Sequence, residues 1–214
     1  MKRLNIKKYI SDIFLRNKWQ FLIVFLSLFS GILFGTYFSS SMNQETADAM
    51  DKYINNFVSA YNLQSANAGE VFKFSVYNNI KIIIFIWISG LWVGFLPVNL
   101  IQIGAKGYKL GFSVTLLVKS FGVKGIAFST ISSASQIFIM IPALILYSVF
   151  NINFSFFQKH SRFTNLSAVF KNEFYIKNLL YLAAIIILSV FVSFLDAYII
   201  PQVLKPICSI WGKY

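Results

Sequence analysis

The chain has one cysteine and one histidine in 214 residues, and only seven acidic residues. A lone cysteine excludes an intrachain disulfide and the two- and four-cysteine metal patterns. His160 has no second histidine with which to share a zinc ion, and no Asp or Glu lies at helical spacing from it. A Ser-His-Asp set would need His160 beside a buried serine, and no pattern brings one there. Gly104, Gly107 and Gly111 do not form a phosphate-binding fingerprint, because they follow an apolar run and not a soluble strand. The expectation is therefore no metal site, no cofactor and no catalytic residues; the chain is not expected to be an enzyme.

Charge is scarce as well. Charged residues make up 12% of the chain and hydrophobic ones 57%, with a mean hydropathy of +0.67. Soluble domains carry about 25% charged residues. The apolar residues gather in blocks, Trp19–Phe38, Ile82–Ile103, Ile126–Phe150 and Leu179–Ile200, the last interrupted by Asp196. About 20 apolar residues are needed for a helix to cross roughly 30 Å of hydrocarbon. The composition predicts an all-α polytopic membrane bundle of about five segments, a single membrane domain over residues 1–214. The net charge of +12 sits mainly between these blocks. There it sets orientation and meets anionic membrane lipid. Nucleic acid is not an expected partner, because that role needs a solvated basic surface.

Three segments lie between or before the spans. Residues 1–18 carry six Lys/Arg and one acid, Asp12, with Ile6, Ile10 and Ile13 near helical spacing. They read as a cytoplasmic amphipathic N-terminus before an uncleaved first span. Residues 39–80 form the one acidic segment and read as an extracytoplasmic loop. Within it Met50, Ile54, Phe57 and Tyr61 share a helical face. That face either rests on the bundle or the membrane, or docks an external partner. Residues 151–178 read as an amphipathic connecting loop, with Phe163, Leu166, Phe170 and Phe174 on one face and four basic residues around them.

Small residues recur at four-residue spacing. Ser27, Gly31 and Gly35 lie in the first apolar block, Gly90 and Gly94 in the second, and Gly107 and Gly111 after it. Such pairs let helix backbones approach closely in lipid. Around Gly107, AKGYK (Ala105–Lys109) reads as a tight turn at the cytoplasmic end of a span bent at Pro97, with Lys106 and Lys109 snorkelling to the headgroups. Tyr108–Phe121 is then only 14 residues, a short span or a re-entrant segment. The positive-inside rule does not choose between these: twelve Lys/Arg fall inside and seven outside in either topology.

The remaining polar residues inside apolar blocks are candidates. Ser129, Ser132, Ser133 and Gln136 share a face, which reads as helix-to-helix hydrogen bonding or a polar path. Asp196 is a costly acid near a span. Its two readings are a place near the interface, where Pro201 ends the helix, and a proton relay.

The order of motifs resembles one family. A span with Gly94 and Pro97 is followed by Lys106-Gly107, Gly111-Phe112, Gly122-x-Lys124-Gly125, Gln136 and Ile141-Pro142, with Asp196, Tyr198 and Pro201 near the end. In order and spacing this is similar to the stage II sporulation protein M family. Ser135 stands before Gln136 where family members often have proline. The resemblance implies a five-span protein with its N-terminus inside. It implies a non-catalytic scaffold in the mother-cell membrane at the sporulation septum, acting in engulfment with the peptidoglycan-cutting stage II sporulation proteins D and P. Other branches accompany export or immunity systems for membrane-active peptides, so a transport-related role is the alternative. The sequence leaves room for a homo-oligomer.

Overall fold

The computed structural model describes residues 17–46, 48–52, 67–160 and 173–204. Among the described residues there is no strand, and the architecture is the expected all-α polytopic bundle. Helix α1 is Lys18–Ser40, α2 is Ala68–Gly90 and α3 is Leu96–Phe121. Helix α4 is Val123–Ser132 and α5 is Ile141–His160, with a π-helical segment, Gln136–Met140, between them. Helix α6 is Glu173–Phe194 and continues through a second π-helical segment, Leu195–Ile199, to residue 204.

Among the described residues, four stretches are long and apolar enough to cross a membrane: Lys18–Ser40, Ala68–Gly90, Gln136–Phe156 and Tyr175–Leu204. Helix α3, with three lysines, is not among them. Its 26 residues nevertheless extend about 39 Å at 1.5 Å per residue, beyond the roughly 30 Å of hydrocarbon. It runs parallel to α1 along most of that length. Gly31 meets Gly104, Gly35 meets Tyr108, and Ser27 donates a 2.6 Å hydrogen bond to the Leu100 carbonyl.

This corrects the sequence reading of AKGYK. The stretch is the middle of one continuous helix and not a turn, so Tyr108–Phe121 is the second half of that helix and not a separate segment. The turn lies earlier. Helix α2 stops at Gly90, Val93–Phe95 makes a 3₁₀ turn, and Pro97 sits in the first turn of α3. A proline there loses no hydrogen bond, because first-turn N–H groups have no partner within the helix. Pro97 therefore starts a helix and bends none.

The second span is also shifted. It begins at Ala68, inside the segment expected to be loop. Asn67 caps it, its side chain accepting from the Gly69 N–H at 3.1 Å, and Glu70 lies in the first turn. A capping asparagine and a first-turn acid both favour a helix start. At the far end of the bundle, Asn151, Ile152, Phe154 and Ser155 are buried in α5. That part of 151–178 is core and not an amphipathic connection. Residues 161–172 lie outside the described residues, as do residues 1–16.

The core sits toward the N-terminal end of α1. Val24, Ile83, Ile86, Ile103, Met140, Leu144 and Val192 are all buried there.

Candidate functional site: a polar cluster in the middle of the bundle

Gly31, Gly35, Gly107 and Gly111 bring α1 and α3 backbone to backbone. A Cβ at any of them would collide with a carbonyl across the interface: Gly104, Tyr108, Leu28 and Ile32 respectively. This fixes the rotation of α3. Lys119 caps the far end of α1, donating to the carbonyls of Ser39 at 2.8 Å and Ser40 at 3.0 Å. Gly90 lies against the Asn151 side chain. Gly94 differs from the expectation. It is exposed in the 3₁₀ turn with only ordinary contacts to Trp92, so it packs no helix pair.

With α3 so placed, Lys106 points into the bundle. Its Nζ donates to Gln136 Oε1 at 2.7 Å and to Asn79 Oδ1 at 3.1 Å. Gln136 Nε2 donates in turn to Asp196 Oδ2 at 2.6 Å. Asp196 also accepts from Ser75 at 2.9 Å and from Ser135. Asn79 donates to Ser193 at 3.3 Å. The chain of bonds joins α2, α3, the first π-helical segment and α6. Lys106 and Asp196 make no direct ion pair; Gln136 stands between them. Polar groups at this depth are costly unless satisfied, and here each partner satisfies the next.

Asp196 thus lies within an apolar stretch, Tyr175–Leu204, and not beside its end. Pro201 does not end the helix, which runs on to residue 204. The reason is the π turn ahead of it. Proline lacks an N–H, and its ring clashes with the carbonyl four residues back. Widening the preceding turn to an i→i+5 pattern accommodates that clash without a break; Ile200 N–H bonds to Leu195 O. Pro142 repeats the arrangement, with Ile141 N–H bonding to Gln136 O. Each π-helical segment ends two residues before a proline, and each carries one of the two central polar residues. Single-turn π segments are rare and frequent at functional sites.

The serine face divides. Ser129 and Ser132 bond carbonyls of their own helix, those of Ile126 and Ser129. The bonds between helices come from Ser135 and Gln136. Ser132, Ser133 and Gln136 line a cavity of about 580 Å³ together with Ser75, Asn79, Lys106, Lys109 and Asp196. Met50 also lines it; Ile54, Phe57 and Tyr61 lie outside the described residues. Gly122 makes the turn between α3 and α4 with φ +59°, which favours glycine. Gly125 follows it pressed against the Leu117 carbonyl. Tyr198 is on the outside of α6, its ring near Phe194 and Phe72.

Most of the motif residues thus occupy two places, the α1–α3 contact with its α3–α4 turn and the polar cluster. The sequence profile described as stage II sporulation protein M matches residues 22–201, a stretch that contains all of them. The chain belongs to the stage II sporulation protein M family. It is a sporulation-related membrane protein. No curated protein and no solved structure matches it.

Sequence reading missed Ser75, Asn79 and Ser193 in this family member's cluster. The signal was present: Asn78-Asn79 lies within an apolar helix. An expected loop running to residue 80 hides it, because the helix begins at Ala68.

Proposed function

We propose that the protein is a non-catalytic membrane scaffold for cell-wall remodelling during engulfment, anchoring the stage II sporulation proteins D and P. One observation carries this reading. The polar residues of the central cluster are bonded to one another across four elements, which ties those helices together. Asp196 accepts three side-chain bonds, and Lys106 donates two. A scaffold needs such rigidity and needs no reacting group. The segment between α1 and α2 would face the enzymes outside, with Met50, Ile54, Phe57 and Tyr61 as the docking face.

The cavity favours a second reading, a component of a small-peptide export or immunity system. A path through the bundle would have to continue past Ile83, Ile86, Ile103 and Leu144, which are buried side chains of the core. The cavity thus resembles a blind recess more than a path, and the scaffold reading is preferred.

Co-purification of the tagged protein from sporulating cells, followed by mass spectrometry, separates the two. Peptidoglycan hydrolases in the eluate support the scaffold, and Ile54→Ala, Phe57→Ala and Tyr61→Ala together should release them. An ATPase or export subunit without a hydrolase would overturn it.

A further inference from the structure

The cavity has an unbalanced charge. Two cations, Lys106 and Lys109, and one carboxylate, Asp196, line it. The carboxylate is already supplied with donors by Ser75, Ser135 and Gln136. Lys106 is held by two neutral amide oxygens. Lys109 lies one turn along α3 from Lys106 and is exposed; among the described residues no hydrogen bond or ion pair engages it. A cation at this depth, about 18 Å of helix from the end of α3 at Phe121, is costly without a counter-charge.

The walls specify the rest of the occupant. Phe74, Phe112, Leu116, Phe128 and Ile200 make one side apolar. The volume of about 580 Å³ falls in the small-molecule range of roughly 300–1,000 Å³. It would hold only about five residues of a helix about 10 Å across, so a transmembrane helix of a partner does not fit. What fits is slender, with an anionic end and an apolar body.

We propose that this cavity binds an anionic amphipath, a carboxylate or phosphate on an acyl chain. The anionic head sits on Lys109 beside Lys106, and the chain lies along Phe74, Phe112 and Phe128. The same chemistry comes from two sources, a free fatty acid and an anionic phospholipid. The proposal stands whether or not the protein is a scaffold.

Native mass spectrometry of the full chain in a non-ionic detergent tests it, with oleate and phosphatidylglycerol titrated separately. Lys109→Gln removes the cation and should weaken binding about tenfold, the loss expected for one charge-assisted hydrogen bond. Lys109→Arg should retain binding, and Ser133→Phe should abolish it by filling the cavity. Lys73→Gln, an exposed lysine of α2, is the control and should leave binding unchanged. Size-exclusion elution at the wild-type position shows that each variant is folded. Selective binding of oleate assigns the source as a fatty acid, and of phosphatidylglycerol as a phospholipid. Equal binding of both ligands by wild type, Lys109→Gln and Ser133→Phe would overturn the proposal, as would oleyl alcohol binding with the same dependence on Lys109.

Discussion

Gln136 donates to Asp196 at 2.6 Å, and the two residues sit in facing π-helical turns, each followed two residues later by a proline. The bond joins two helices at the points where their regular hydrogen bonding is interrupted. The prolines fix where the turns widen, and the widened turns carry the only amide–carboxylate bond within the central cluster.

Removing the carboxylate should therefore destabilise the bundle. Asp196→Ala leaves the donors of Ser75, Ser135 and Gln136 without an acceptor. The expected loss is about 1–3 kcal/mol, read as a drop of about 2–4 °C in Tm per kcal/mol in detergent. Asp196→Asn keeps an acceptor oxygen and should lose less. Equal Tm values for wild type and Asp196→Ala would mean that the cluster does not hold the helices.

Lys106 and Asp196 should be energetically coupled though they do not touch. Each holds one end of the Gln136 amide, so deleting either frees it. In a double-mutant cycle of Lys106→Met and Asp196→Ala the two effects should fail to add by about 0.5–3 kcal/mol. Strict additivity would contradict the bridge.

The glycines predict a contrast within a single substitution type. Gly31→Ala places a Cβ into the Gly104 carbonyl, and neither backbone can yield cheaply. A cost of about 1–3 kcal/mol is expected from such overpacking. Gly94→Ala meets only ordinary contacts and should stay within about 0.5 kcal/mol of wild type. Thermal unfolding of the two variants side by side checks this.

Much of the fold was legible because lipid imposes a simple pattern. Apolar blocks of bilayer length gave the bundle, and the four-residue spacing of Gly31, Gly35, Gly107 and Gly111 marked the residues that meet across α1 and α3. What was not legible came from reading lysine as a boundary. Lys106 and Lys109 look like the end of a span, and only packing shows that one is bonded internally and the other faces a cavity. Pro201 misled for a different reason, because proline usually ends a helix. Its partner signal was the repeated Ile-Pro, at Ile141-Pro142 and Ile200-Pro201, each preceded within six residues by a polar residue of the central cluster, Gln136 and Asp196.

The account turns on α3 crossing the bundle completely, since that crossing carries Lys106 to Gln136. Cysteine labelling at its two ends tests this most directly. In a Cys208→Ser background, Trp92→Cys lies in the turn before α3 and is 64% exposed, and Val123→Cys lies just after it and is 83% exposed. A membrane-impermeant maleimide added to intact spheroplasts should label Val123→Cys and leave Trp92→Cys unlabelled until the membrane is opened. Labelling of both from the same side would make the segment re-entrant and contradict the continuous helix.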